Sequence, residues 1–201
     1  MNKLRKAKLI AQLLSAVPYV RLVVLTGSVA TGRDNPKSDL DFLIICQRGR
    51  LYLGRYLCVG LMTLFGQKSY PKFNKSAGRV CLTFYLADNF LDFIKINRPL
   101  FKKRQNWLKE SMPLSGFQGL YKRLMKINGL KPLPWEISNI EILSALQFLF
   151  EFILAFGGAW ILERISRLVA SKRLEKYQKE TKDKGIQFGK NYIELHLGEW
   201  K

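Results

Sequence analysis

One stretch of the sequence, residues 23–44, constrains the fold and the chemistry more than any other. It reads VVLTGSVATGRDNPKSDLDFLI: an apolar run, a Gly-Ser turn, a polar loop, and two aspartates that alternate with apolar residues. The run at 22–25 is typical of a buried strand, and the alternation that begins at Asp39 is typical of a second strand. The sequence therefore predicts two strands joined by a short loop that contains turn-forming residues.

The turn after the first strand suits phosphate binding. Gly27 has no Cβ, so the chain can turn sharply there and a phosphate can approach the backbone closely. Ser28 offers a hydroxyl and a backbone N–H to phosphate oxygens, as in an anion-binding nest. We therefore expect Gly27 and Ser28 to bind phosphate groups.

The two aspartates of the second strand form a predicted metal site. Residues i and i+2 of a strand point to the same face, so Asp39 and Asp41 project together, about 7 Å apart along the backbone. Mg²⁺ is usually held by one or two carboxylates together with substrate phosphates. We therefore expect Asp39 and Asp41 to be both the metal ligands and the catalytic residues.

Together these motifs resemble those of the DNA polymerase β-like nucleotidyltransferase superfamily, and most of all its small, minimal members. The resemblance covers roughly residues 5–90 and is carried by Gly27, Ser28, Gly32, Asp39 and Asp41. It implies an α/β (α+β) fold: a small mixed sheet of the nucleotidyltransferase type flanked by helices, here with a helical C-terminal extension.

The resemblance also implies an activity. It implies that Mg²⁺ or Mn²⁺ supports the transfer of a nucleoside monophosphate from an NTP such as ATP to a hydroxyl or phosphate acceptor. Gly27 and Ser28 would hold the triphosphate, and Arg33 or Lys37 would neutralise charge that develops in phosphoryl transfer. The acceptor is left open, because a fold does not fix it.

The superfamily pattern has a third carboxylate on a later strand, and this chain departs from it. The candidate strand, residues 79–86, contains no acid. Thr83 stands where the carboxylate is expected, and Asp88 beyond the strand end is the alternative. The competing hypothesis is therefore a catalytically weak module that binds nucleotide or RNA.

The net charge and the cysteines indicate the class of binding partner and the cellular compartment. The formal net charge of +19 favours polyanions such as nucleotides, RNA or an anionic membrane. Cys46, Cys58 and Cys81 lie in apolar segments without metal-site spacing, which indicates core thiols in a reducing cytoplasm and argues against zinc.

The chain divides into three predicted parts. Residues 1–97 form the nucleotidyltransferase core, 98–136 an irregular connecting segment broken by prolines, and 137–201 a helical, basic C-terminal region. Beyond Thr181 the tail is polar and contains glycines, so we expect less order there.

The apolar stretch Ile142 to Leu162 has Glu151 as its only charge and reaches the length of a membrane span. Glu141, Ser144, Gln147 and Glu151 nevertheless form one stripe of a helix, which favours protein packing over lipid. We expect the apolar face to pack against the second helix, the catalytic core, or a second copy in a homodimer. Peripheral or integral membrane association is the alternative.

Overall fold

The structure is a computed structural model that describes residues 2–68, 78–96, 101–135, 137, 139–181 and 186–195. For Thr83, Ile94, Tyr177, Glu180 and Thr181 the description covers the backbone alone.

The described part of the chain forms seven α-helices, six strands and one 3₁₀ turn. The helices are α1 Lys3–Ser15, α2 Gly27–Ala30, α3 Leu51–Leu64, α4 Phe101–Lys109, α5 Gln118–Ile127, α6 Glu141–Phe156 and α7 Ala159–Thr181, and the 3₁₀ turn is Phe93–Lys95. The strands are β1 Val20–Thr26, β2 Leu40–Cys46, β3 Val80–Ala87, β4 Met112–Gly116, β5 Ile186–Phe188 and β6 Tyr192–Leu195.

The six strands form one mixed sheet in the order β4-β1-β2-β3-β6-β5. β1 runs antiparallel to β2 and β4, and β6 runs antiparallel to β3 and β5. Only the β2–β3 pair is parallel among the described strands, and α3 lies in the crossover that such a pair requires. The chain thus has the mixed α/β fold that the sequence predicts.

The two faces of the sheet carry separate cores, because successive side chains of a strand point to opposite faces. Phe42 and Ile44 belong to the core that includes α1 and α3 residues. Leu43 and Ile45 belong to the other core, which includes α4, α5 and the 3₁₀ turn. Asp41 shares the parity of Leu43, so the sheet places it on the α4–α5 face.

Within the segment 98–136, the described residues 101–135 contain regular elements, which differs from the irregular connection that the prolines predict. These elements are α4, β4 and α5, and β4 pairs with β1 at the edge of the sheet. Pro113, which in the sequence indicates a break, lies within β4. An edge strand tolerates the missing N–H of a proline. The domain boundaries at 97 and 136 themselves stay a prediction.

Beyond Thr181 we expect less order, but the described residues 186–195 are regular. Residues 186–195 form the β5–β6 hairpin, and β6 pairs with β3. Glu194 of β6 is 1% exposed and forms an ion pair with Arg104 of α4, which is 0% exposed, and Arg104 Nε donates to Glu194 Oε1 at 3.1 Å. A buried pair of this kind fixes the hairpin to α4, because either charge alone would be left without compensation.

The apolar stretch of residues 142–162 forms most of α6 and the start of α7. The two helices are separated by Gly157 and Gly158 and bend by 92°. Within the described ranges, no single helix is long and apolar enough to cross a membrane, and α6 with α7 to Lys176 meets that criterion only as a bent pair.

The apolar face of α6 does not pack against the catalytic core, which is one of the three expected arrangements, and its packing against a second copy stays a prediction. Gln147 Nε2 donates to the carbonyls of Val17 and Val20 at 3.1 and 2.6 Å. Glu151 accepts from the Tyr19 N–H at 2.6 Å and from Arg21 at 2.7 and 2.8 Å. Gln147 and Glu151 of the polar stripe therefore face the core, whereas Glu141 and Ser144 are exposed, and none of the α6 residues is buried.

Candidate metal centre

Pairing on both sides fixes Asp41 within the sheet. Thr26 of β1 lies opposite Asp41 on one side, and Cys81 of β3 lies opposite it on the other. The Thr26 hydroxyl donates to the backbone oxygen of Asp41 at 3.1 Å. One ligand atom each from Asp39, Asp41 and Cys81 lies within 4.8 Å of the others. Three side chains that can bind a metal therefore converge at the start of β2.

Gly27 closes one side of this cluster. It follows β1 directly and has a φ of +72°, which L side chains rarely adopt. A Cβ built on Gly27 would lie 2.6 Å from Oδ2 of Asp41. The position therefore requires glycine for two reasons: its backbone conformation and the space that the Asp41 carboxylate occupies.

The cluster is electrostatically strained. Burial, and then the neighbouring charge of Asp39, raise the pKa of Asp41 to about 7. Burial also raises the pKa of Asp39, although a hydrogen bond from its own backbone, the Cys81 thiol and Lys3 oppose the shift. The pKa of Cys81 is raised by burial and by the two carboxylates, so its thiol stays protonated at neutral pH. A divalent cation would relieve this repulsion.

Lys3 supports the loop that leads to Asp39. Its Nζ donates to the backbone carbonyls of Asn35 and Ser38, the latter at 2.9 Å, and lies 3.8 Å from Oδ2 of Asp34. In the sequence, Lys3 looks like one charge in a basic run. Only the fold shows that α1 brings Lys3 to the loop, close enough for its charge to oppose the rise that burial causes in the pKa of Asp39.

An open cavity of about 210 Å³ adjoins the cluster and shares Gly27 with it. It is lined by Gly27, Ser28, Thr31, Arg33, Trp107 and Glu110. Arg33 Nη2 donates to Oε2 of Glu110 at 2.6 Å, and the side chains of both residues are more than half exposed. The cavity thus joins polar groups at the start of α2 to an arginine and an aromatic ring, and α4 supplies a tryptophan that the sequence does not mark.

Three of the four residues predicted to bind nucleotide are brought together at this cavity: Gly27, Ser28 and Arg33. Lys37 is not among its lining residues. Its backbone N–H donates to Oδ1 of Asn35 at 2.8 Å, and its side chain is exposed in the loop before β2.

The two predicted third-carboxylate positions have different outcomes. Asp88 lies at the opposite end of the sheet from Asp41, where its N–H donates to the Cys46 carbonyl and its carboxylate accepts from the Arg48 N–H. Thr83 is the unpaired residue of a bulge in β3, and its side chain lies outside the described part. The described side chain beside the aspartates is Cys81.

The donor set fits a divalent metal. Asp39 and Asp41 supply the oxygen ligands that Mg²⁺ and Mn²⁺ prefer. Cys81 completes the cluster with a softer sulfur atom, which Mg²⁺ does not favour. With phosphate groups beside Gly27, such a centre can support chemistry at phosphorus.

The family model of the nucleotidyltransferase domain matches residues 6–110, just over half of the chain. Among solved structures, the chain is similar to one described as a crystal structure of a toxin-antitoxin with AMP-PNP. The identity is 14%, the coverage is 77% of this chain and 99% of that chain, and the TM-score is 0.37. The comparison with curated proteins finds no match.

Gly27→Ala should disrupt the centre, and Gly32→Ala is its matched control. Both residues have a positive φ, +72° and +69°, but a Cβ at Gly32 would meet nothing within 4 Å. Each alanine should cost about 1 kcal/mol of backbone strain, and Gly27→Ala should cost roughly 1–3 kcal/mol more because it displaces the Asp41 carboxylate. Thermal unfolding with and without Mn²⁺ measures both effects. Equal losses in the two variants would contradict the contact between Gly27 and Asp41.

Asp41→Asn should stabilise the metal-free protein at neutral pH. The unfolded chain loses the Asp41 proton near the ordinary pKa of 3.8, whereas the folded chain keeps it until about pH 7. Wild-type stability should therefore fall as pH rises from about 4 to about 7, by on the order of 3–4 kcal/mol. The asparagine variant lacks this loss, so its advantage over wild type should grow across the same window. Denaturant titrations in EDTA at several pH values test this, and an advantage that shrinks with rising pH would refute it.

Proposed function

The chain belongs to the nucleotidyltransferase domain family, and we propose that it is a metal-dependent enzyme. In the proposed reaction a nucleoside monophosphate moves from an NTP to a hydroxyl or phosphate acceptor, and pyrophosphate leaves. One observation carries the proposal: the Asp39–Asp41 pair converges beside the Gly27 turn, next to an open cavity.

The proposal gives each residue a role. Asp39 and Asp41 hold Mg²⁺ or Mn²⁺, and the bound metal supplies stabilisation of the charge that develops on phosphate oxygens. The backbone at Gly27 admits the triphosphate closely, and the Ser28 hydroxyl and N–H donate to its oxygens. Arg33 exchanges Glu110 for a phosphate group, which is feasible because the pair is mostly exposed and weakly held.

Cys81 supports a second candidate, a catalytically weak nucleotide-binding module. A protonated thiol beside the aspartates supplies neither a negative ligand nor a base for an attacking hydroxyl. Such a module would bind metal and NTP through Asp39, Asp41 and Gly27 but turn over slowly.

The proposal includes a cellular location and a class of acceptor. A cytoplasmic location suits an NTP substrate and the free thiols of Cys46, Cys58 and Cys81. The net charge of +19 favours a polyanionic acceptor such as RNA over a cationic one.

Transfer should require metal and the aspartate pair. The purified protein is incubated with each labelled NTP, Mg²⁺ or Mn²⁺, and a cell extract, and labelled products are then separated. Wild type should label one acceptor class, and Asp41→Asn should lose at least about 10²-fold in rate while staying folded. Binding of the NTP without any labelled product would favour the second candidate. Wild-type labelling by Asp41→Asn would refute the assigned site.

Introducing a carboxylate at the third position should raise activity, and two variants locate that position. Cys81→Asp places the new acid opposite Asp41, whereas Thr83→Asp places it at the bulge. We expect Cys81→Asp to increase Mg²⁺-dependent transfer by roughly tenfold or more, because it adds a hard ligand to the cluster. Cys81→Ala controls for loss of the thiol. If only Thr83→Asp raises activity, the sequence-based position is the right one.

A further inference from the structure

Exposed apolar side chains cover the outward side of α6 and the first half of α7. All of them are large, although an ordinary surface helix would turn such residues toward the core. We call this the α6–α7 surface, and it consists of Ile142, Leu146, Phe148, Leu149, Phe150, Phe152, Ile153, Phe156, Trp160, Ile161, Leu162, Ile165, Leu168 and Val169. Fourteen large apolar side chains exposed on two consecutive helices mark an interaction site.

The hydrogen bonds of the charged residues show that this orientation is built into the fold. Between Ile142 and Leu162, Glu151 is the only charged residue, and it binds Arg21 and the Tyr19 N–H. Glu163 follows directly and accepts from the N–H groups of Tyr52 and Leu53 at 3.2 and 2.7 Å, at the start of α3. Both acids thus turn inward, and the outward surface of 142–162 carries no charge.

Positive charge borders the apolar region on α7. The residues concerned are exposed and follow Leu162 in the helix: Arg164, Arg167, Lys172, Arg173, Lys176 and Lys179. The Arg164 guanidinium lies over the Trp160 ring at 4.0 Å from its centroid. An exposed tryptophan between an apolar surface and a basic one is typical of a side chain at a membrane–water interface.

The shape and charge of the surface decide between lipid and a second copy of the chain. At 3.6 residues per turn, the exposed apolar residues of α6 span an arc of about 200°, about twice the width that helix packing requires. A homodimer would cover only part of that arc. It would also bring together two chains that each carry +19.

We propose that the α6–α7 surface docks this protein on an anionic membrane surface, with the helices in the plane of the interface. At 16 residues, α6 is about 24 Å long, shorter than the hydrocarbon core of about 30 Å. The apolar arc enters the lipid while the basic residues of α7 meet the headgroups. This is the arrangement of interfacial amphipathic helices.

Docking in this way leaves the metal centre in water. α6 binds the start of β1 through Val20 and Arg21 and through Tyr19, which directly precedes the strand. The Asp41 cluster lies beside Thr26, at the other end of β1. Since β1 has seven residues, the two ends are about 20 Å apart, so a dissolved nucleotide can reach the cavity beside Gly27.

Flotation of the purified protein with lipid vesicles tests the proposal. Wild type should float with vesicles of phosphatidylcholine and phosphatidylserine, and far less with phosphatidylcholine alone. Phe152→Glu should lower binding to the anionic vesicles by roughly tenfold or more. Phe65→Glu is the matched control, because Phe65 is 57% exposed against 54% for Phe152 but lies at the end of α3, and it should bind as wild type does.

Fold controls and a charge-reversal variant complete the vesicle test. Circular dichroism and thermal unfolding establish that each variant is folded, and Phe148→Glu repeats the test if Phe152→Glu is not. Lys172→Glu with Lys176→Glu should remove the preference for phosphatidylserine. Absence of flotation by folded wild type at low salt would overturn the proposal, and so would equal losses in Phe152→Glu and Phe65→Glu. A dimer in light scattering that Phe152→Glu dissociates, with no vesicle binding, would assign the surface to a second copy.

Discussion

The register of β2 between its two neighbours is the constraint on which the site depends. Pairing with β1 sets Asp41 beside Thr26 and against the bare backbone of Gly27, and pairing with β3 sets Cys81 on its other side. A shift of one residue would turn both aspartates into the core on the α1–α3 face. The antiparallel and parallel ladders together exclude that shift, because Phe42 and Ile44 fill the core on that face.

The sequence predicts what is local and misses what depends on register. Gly27, Ser28, Asp39 and Asp41 belong to one hairpin, so their spacing suffices to predict that they meet. Cys81 and Thr83 have the same parity in β3, and alternation alone assigns both to the face of the aspartates. In the structure Cys81 pairs with Asp41, whereas Thr83 is the unpaired residue of the bulge. The sequence contains no signal for the pairing or for the bulge. Similarly, Trp107 reaches the cavity only because α4 packs on that face.

The C-terminal region shows a second limit of pattern reading. Periodicity correctly divides α6 into a polar stripe and an apolar face, but it does not state which side meets the protein. The N–H of Tyr19, the guanidinium of Arg21 and the carbonyls of Val17 and Val20 decide this, since Gln147 and Glu151 form hydrogen bonds with them. Backbone groups at the start of β1 are polar partners that no hydropathy profile records.

The place of β6 in the sheet affects how the chain is made. β3 pairs with β6, yet α6 and α7 separate the two strands in the chain. During synthesis both helices leave the ribosome before β6 does, so their apolar surface is presented while one edge of β3 still lacks its partner. A contact between residues this distant in sequence forms late, and an open strand edge invites aggregation. Early capture of the emerging helices by another surface would keep the nascent chains apart until Glu194 reaches Arg104 and the sheet closes.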